Sequence, residues 1–415
     1  MPSLSEKLKA LGVNVGTQDI APGRAHQYQS IDRVLDGQVY VTPIGDTLII
    51  KKEIPIGEYH GRFKLELDTP FQTISRWAND QRIADFTAED FIFIDTETTG
   101  LSGGTGTYTF LIGAGKFVDE CFHFIQFFMR NPSEEPAQLF AFEEFIASGS
   151  CIVSYNGKAF DVPLINGRFT ANGLKSPLVD YAHLDLLHLT RRIWSQRLSR
   201  CTLGYIEAHV LATERSEDDV PGWAIPQMYF DYLRSGDAEP LRRVLYHNEM
   251  DVISLAVLLN HTALILDNPI GSGTEHVEDL ISLAKLYEDM GDIERAVQFY
   301  LHGLQHDDFL ADKNLEIYYM RALHRLSMIY KRQGLYSPAV ELWERAASYD
   351  FIDAHIELAK HYEHRIGDYP IAIRWTETAI SILLGETTSP ISKQIYLEGL
   401  RHRLARLIRK IERYN

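Results

Sequence analysis

The run Phe91-Ile92-Phe93-Ile94-Asp95-Thr96-Glu97-Thr98-Thr99-Gly100 constrains the fold more than any other stretch, because an apolar segment of strand character ends in two carboxylates and a turn. Side chains two apart on a strand share a face, so Asp95 and Glu97 project just beyond Phe91 and Phe93 while Ile92 and Ile94 face the opposite side. Two like charges held side by side invite a cation. A bare Asp-x-Glu also arises as a solvated strand end in an acidic chain, so the pair needs further ligands before it means metal.

Two later segments offer them. Ser154-Tyr155-Asn156-Gly157-Lys158-Ala159-Phe160-Asp161 follows a short apolar run, Cys151 to Val153, and places a third carboxylate, Asp161, where a strand gives way to a loop and helix. His247-Asn248-Glu249-Met250-Asp251 opens a helical segment in which His247 and Asp251, four residues apart, lie on one face. Histidine supplies a base and aspartate a fourth ligand.

In order and context these segments resemble the three exonuclease motifs of the DEDD superfamily of ribonuclease H-like 3′→5′ exonucleases. The glycine-rich run Gly100 to Thr107, Phe110-Leu111-Ile112-Gly113, Asp219-Val220-Pro221-Gly222 and a helical-repeat tail resemble one bacterial branch, the YprB-like proteins. The resemblance implies an α/β ribonuclease H-like domain, with a mixed sheet flanked by helices, followed by an all-α tetratricopeptide-like domain. It also implies two Mg²⁺ or Mn²⁺ ions, since hard oxygen ligands favour these over zinc. Asp95 would bridge both ions, Glu97 and Asp251 would hold the water-activating one, Asp161 would support the other, and His247 would take a proton from the attacking water. Relatives with a histidine base place it five residues before the last aspartate, and those with tyrosine four before. Here Tyr246 stands five before Asp251 and His247 four before. A four-residue offset on a helix leaves His247 about 40° from Asp251, and a five-residue offset leaves Tyr246 about 140° away, so His247 is expected as the base and Tyr246 as a core residue.

Further substrate contacts are expected from Thr98, from Leu101, which would either wedge against a terminal base or be plain core, and from Asn156, which would either steer the phosphate or cap the turn. Arg191, Arg192, Arg197 and Arg200, interleaved with Trp194, form a basic run that would either track a phosphate backbone or show a solvated helix face. Ser102 to Gly106 lacks the Gly-Lys-Ser/Thr ending of a nucleotide-binding loop and reads as a tight hairpin turn.

At 415 residues the chain can bury two or three cores. An apolar fraction of 45% with 24% charged residues is that of a globular protein. No run of 18 apolar residues and no basic segment before a hydrophobic stretch suggests a membrane span or signal peptide, so a cytoplasmic setting is expected. Cys121, Cys151 and Cys201 lack metal-ligand spacing and read as reduced, mostly buried thiols. A net charge of −16 argues against non-specific coating of nucleic acid, because each phosphate contact needs a local cation.

Residues 1–90 read as an accessory segment packed on the next domain, with a β-hairpin at Val39 to Val41 and Thr47 to Ile50. Residues 91–267 read as the nuclease domain and 275–415 as helical repeats, separated by the linker-like Asn268 to Thr274. The repeat is visible as Leu283, Tyr287, Gly291, Ala296, Tyr300 and Gly303, recurring as Leu326, Tyr330, Gly334, Ala339, Trp343 and Ala346, then as Leu358, Tyr362, Gly367, Ala372 and Ala379. The first joint carries an insertion at His306 to Asn314, and the third repeat one extra residue between Tyr362 and Gly367. A last helix is expected to bury Leu400, Leu404, Leu407, Ile408 and Ile411 and to show Arg401, Arg403, Arg406, Arg409, Lys410 and Arg413 on a solvated or nucleic-acid-facing side. The sequence thus points to a metal-dependent nuclease acting on DNA or RNA, with repeats that recruit a protein partner. Its rivals are a catalytically idle nucleic-acid-binding adaptor and a structure-selective endonuclease.

Overall fold

The computed structural model describes residues 30–100, 106–217, 219–268, 276–305, 315–385 and 390–414. Nine strands are present among them: β1 Gln38–Thr42, β2 Gly45–Pro55, β3 Tyr59–His60, β4 Phe63–Lys64, β5 Phe91–Thr98, β6 Thr109–Val118, β7 Cys121–Phe128, β8 Cys151–Ser154 and β9 Ala182–Asp185. Seven of them form one sheet in the order β1-β2-β7-β6-β5-β8-β9, with β5, β8 and β9 parallel and the rest antiparallel. This is the mixed sheet expected. The hairpin, however, does not pack on the domain as an accessory: β2 pairs with β7 from Leu48↔Phe128 to Pro55↔Cys121 and extends the same sheet. The hairpin's turn and apolar runs mark it as paired strands, and the sequence does not say which edge receives it.

The main helices are α1 Glu135–Ile146, α2 Asp161–Ala171, α3 Leu186–Trp194, α4 Ile225–Ser235, α5 Leu241–Asp267 and, in the repeats, α6 Val277–Asp289, α7 Ile293–Leu304, α8 Glu316–Arg332, α9 Tyr336–Ala347, α10 Ile352–His361, α11 Tyr369–Gly385 and α12 Pro390–Tyr414. The two faces of β5 feed two cores. Phe91 and Phe93 pack with Phe117, Phe122 and the apolar side of α5, while Ile92 and Ile94 pack with Phe127, Phe142 and Phe169. Helix α5 lies close on the first face because β6 offers glycines there. A Cβ on Gly113 would stand 2.1 Å from Asn248 Oδ1, and one on Gly115 would stand 3.1 Å from Val252 Cγ1. By length and composition α5 is the one described helix that could cross a membrane, yet 78% of its most apolar window is buried inside the protein.

Each repeat glycine takes the left-handed conformation that ends a first helix, with φ of 77° at Gly291, 77° at Gly334 and 79° at Gly367. The extra residue of the third repeat is absorbed by a π-helical turn at Tyr362–Ile366, and the insertion at 306–314 lies outside the described residues. Two expectations for the tail are corrected. Ile408 is exposed rather than buried. Arg403, Arg406 and Lys410 do not face solvent or nucleic acid freely, because all three converge on the Glu363 carboxylate of that turn. Arg406 first, then Lys410 and His364, hold Glu363 down to about 2 against its burial. Of the three thiols, all free, only Cys151 is buried.

The seam between sheet domain and repeats is a packed core, which the linker-like sequence before it does not reveal. Leu283 and Leu286 of α6 belong to the same cluster as Phe91, Phe93 and Trp194. Around it Arg197 reaches the buried Asp279 at 2.9 Å, Arg192 reaches Asp289 at 3.0 Å, and Arg76 reaches Asp292 at 2.9 Å.

Candidate metal centre and nuclease site

Strand β5 ends in Asp95 and Glu97, and each proposed ligand around them is steadied by a group of its own. Asn248, fully buried on α5, donates to Asp95 Oδ2 at 2.8 Å and to the Asp95 carbonyl at 3.2 Å, while Gln126 donates to Asn248 Oδ1 at 2.9 Å. The bare Gly113 lets this amide reach the strand. Asp161 opens α2, and its Oδ1 accepts a short hydrogen bond from the Thr96 hydroxyl. The loop that delivers Asp161 is organised by the buried Asp185 at the end of β9. Asp185 accepts from the Asn156 amide at 2.8 Å and the Lys158 amide at 3.1 Å, and it caps α3 through the Leu187 amide at 3.1 Å.

His247 and Asp251 come in on one face of α5, as their spacing requires. Nε2 of His247 lies 3.9 Å from Glu97 Oε1 and 3.6 Å from Asp251 Oδ2, and Nδ1 lies 2.7 Å from Asp219 Oδ1. Arg215 completes the cluster. Its guanidinium grips the buried Glu207 at 2.6 and 2.8 Å, makes a short contact to Asp251, and places Nη1 3.0 Å from His247 Nδ1 and 3.4 Å from Asp219 Oδ2. Nδ1 cannot both donate to Asp219 and accept from Arg215. The shorter contact to a carboxylate selects donation, which leaves the Nε2 lone pair facing Glu97 and Asp251. Tyr246 is not core: it is half-buried, and its hydroxyl accepts from the Ser216 amide at 3.0 Å, tying down the loop that carries Arg215. An open cavity of about 750 Å³ reaches Glu207, Arg215, Asp219, His247 and Asp251.

The electrostatics are those of carboxylates without enough counter-charge. Burial first, then neighbouring carboxylates, push Asp95 and Glu97 well above the carboxylate range. Burial raises Asp161 to about 6, and raises Asp251 against the pull of Arg215 and His247. A divalent ion held by hard oxygens suits this donor set. Among the described residues no three His, Cys, Asp or Glu side chains are drawn together in ligating geometry. Within the set, Asn248 donates to Asp95, Thr96 to Asp161 and Arg215 to Asp251.

The other expected contacts fall elsewhere. The Thr98 hydroxyl donates to the Gly100 carbonyl at 2.8 Å and closes a turn. Asn156 has φ of 67° and serves as the left-handed residue of the loop. Arg192 pairs with Asp289 of the repeats, Arg191 lines the seam beside them, and Leu101 lies outside the described residues. Arg215, Glu207, Asp185 and Asn248 carry no signal of their own in the sequence. Asp219 stands out there only as part of a run, because nothing local marks a residue 28 positions from the histidine it touches.

The family profiles agree with this architecture. A profile of the RNase_H superfamily matches residues 92–263, and one of the tetratricopeptide repeat matches residues 280–306. The protein YprB of Bacillus subtilis (strain 168) is 32% identical over 376 residues, covering 88% of this chain and 86% of that protein. The structure of the family B DNA polymerase from Pyrobaculum calidifontis aligns with 48% of this chain at 17% identity and a TM-score of 0.32, and this chain spans 29% of the polymerase. On the extent of the likeness to YprB, with a ribonuclease H-like sheet domain and tetratricopeptide repeats in that order, the chain belongs to the YprB-like family.

Proposed function

We propose that the chain is a metal-dependent nuclease that hydrolyses phosphodiester bonds of nucleic acid, working as a 3′→5′ exonuclease. The observation that carries this reading is His247, whose Nε2 lies 3.9 Å from Glu97 and 3.6 Å from Asp251 and whose Nδ1 is tied to Asp219, beside buried carboxylates of Asp95 and Asp161 that feel the charge of Asp251. The direction of attack rests on the likeness of the three motifs to those of 3′→5′ exonucleases. Asp95, Glu97, Asp161 and Asp251 would hold Mg²⁺ or Mn²⁺, which when bound would supply charge neutralisation at the phosphate and activation of water. The protein's own part is proton management and placement. His247 accepts the proton of the attacking water at Nε2, and Asp219 holds the tautomer that makes this possible and stabilises the imidazolium that forms. Arg215 keeps Asp251 and Asp219 in place from the side of Glu207. The repeats, anchored to the nuclease core through α6, leave their outer helices for a protein partner.

The test is digestion of labelled single-stranded, duplex and hybrid substrates with Mg²⁺ or Mn²⁺, comparing wild type with Asp95→Ala. Stepwise loss of 3′ nucleotides by wild type and none by the variant is expected. Equal cleavage by both overturns the reading.

A further inference from the structure

The seam between α3 and the repeats forms a cleft of about 700 Å³, closed at one side where the Tyr318 hydroxyl donates to the Gln196 carbonyl at 3.1 Å. Arg191 and Arg192 of α3, Lys285 of α6, and Arg321 and Arg325 of α8 line it, against Asp353 as the one lining acid. In a chain of net charge −16 that is a local reversal of sign. The neighbouring acids do not cancel it. Asp289 is shared between Arg192 at 3.0 Å and Lys285 at 2.6 Å, and Glu288 between Arg325 at 2.9 Å and Arg332 at 3.0 Å. Arg191 and Arg321 are exposed and have no carboxylate partner among the described residues.

The cleft is also tied to the loop that carries Asp161. Thr190, next to Arg191, lies 3.0 Å from the Tyr155 hydroxyl, and α3 begins at the Asp185 that holds the Asn156 and Lys158 amides. A nine-residue helix is about 13 Å long, which a strand stacked at about 3.4 Å per nucleotide spans in roughly four nucleotides. The geometry points to a second function for the repeats: together with α3 they bind the phosphate backbone of the substrate strand beyond the nucleotides held at the carboxylates. This rests on the nuclease reading. It makes the first two repeats part of the substrate-binding surface, and it favours a nucleic-acid strand over an acidic peptide because the helix that carries Arg191 and Arg192 starts at the Asp185 that holds the Asp161 loop.

The test uses the full chain carrying Asp95→Asn, with fluorescent oligo-dT and oligo-rU of three, eight and sixteen nucleotides, binding being read by anisotropy at several salt concentrations. The octamer is expected to bind about tenfold tighter than the trimer. Adding Arg191→Ala and Arg321→Ala is expected to weaken the octamer about tenfold and the trimer hardly at all. The slope of log affinity against log salt should fall by about 1.4, or roughly 0.7 for each arginine withdrawn from a single-strand phosphate. Neither substitution strands a buried acid. Unchanged octamer affinity and salt slope overturn the inference while leaving the nuclease reading intact. So does a cleft whose arginines prove necessary for binding a polyglutamate peptide but not the octamer. Failure of every oligonucleotide to bind, together with no cleavage by wild type, overturns both.

Discussion

His247 faces the carboxylate set through one ring nitrogen and Asp219 through the other, which divides their roles. His247→Ala is expected to lower turnover by about 10² to 10⁴ and to leave Mn²⁺ affinity nearly unchanged. Asp219→Asn should lower kcat with little change in KM for an oligonucleotide, because it frees the wrong tautomer without touching the substrate; an effect confined to KM contradicts the assignment. The carboxylates themselves predict a pH dependence in the metal-free protein. Asp161 is raised from 3.8 to about 6, so the folded state binds the proton more tightly than the unfolded chain. Its contribution to stability is complete below about pH 4 and is lost as pH rises through about 6. In EDTA the melting temperature of wild type, measured relative to Asp161→Asn, should therefore fall between pH 4 and pH 7; a flat or rising difference rules this out. Asp95, Glu97, Asp161, Asp251 and His247 were legible in the sequence because each sits in a short segment whose spacing fixes a shared face or a strand end. Arg215, Glu207 and Asp185 were not, since their places depend on a π-helical turn at Glu207–Leu211 and on the end of β9, which only the folded sheet brings alongside.

Helix α6 carries the sharpest difference between sequence and structure at the scale of elements. Asn268 to Thr274 has the composition of a linker, and the sequence divides the chain there into units expected to be separable. Leu283 and Leu286 instead complete the core under β5, and the Tyr287 hydroxyl donates a short hydrogen bond to the Leu266 carbonyl of α5. Turn residues report where the backbone bends and carry no information on whether the flanking helices share a core. The repeat itself was legible, because its glycines and alanines recur at the helix ends and contacts, whereas the hairpin's attachment to β7 was not. A chain ending at residue 268 is expected to be poorly soluble or to melt far below wild type, whereas one ending at 305, which keeps α6 and α7, should retain the nuclease fold. Leu283→Ala in the full chain should cost about 2–5 kcal/mol, the range for emptying a buried leucine site. A soluble 1–268 fragment that melts with the intact chain would show that α6 only rests on the surface.

Across the whole molecule, α6 takes part in two cores, with Leu283 and Leu286 in that of the sheet domain and Leu280 and Ala284 in that of the repeats. Asp279, buried at the seam and raised to about 6 by burial despite its pairing with Arg197, marks how far the interface excludes water. Binding an ion to the native state alone adds stability by mass action, about 2.7 kcal/mol at a hundred times the dissociation constant. In a chain this long that amounts to a shift of a few degrees. If α6 couples the two parts, calorimetry of the full chain should show one main transition that contains both the sheet domain and the first repeats, and Mn²⁺ should move all of it upward. Asp95→Asn should abolish most of the shift by removing a ligand, and EDTA should reverse it in wild type. Two separated transitions, with Mn²⁺ moving only one, would mean that the seam transmits no stability. The cationic cleft would then have to assemble after folding rather than be fixed by it, and its affinity for an octamer should fall as the repeats melt while the metal-stabilised sheet domain stays folded.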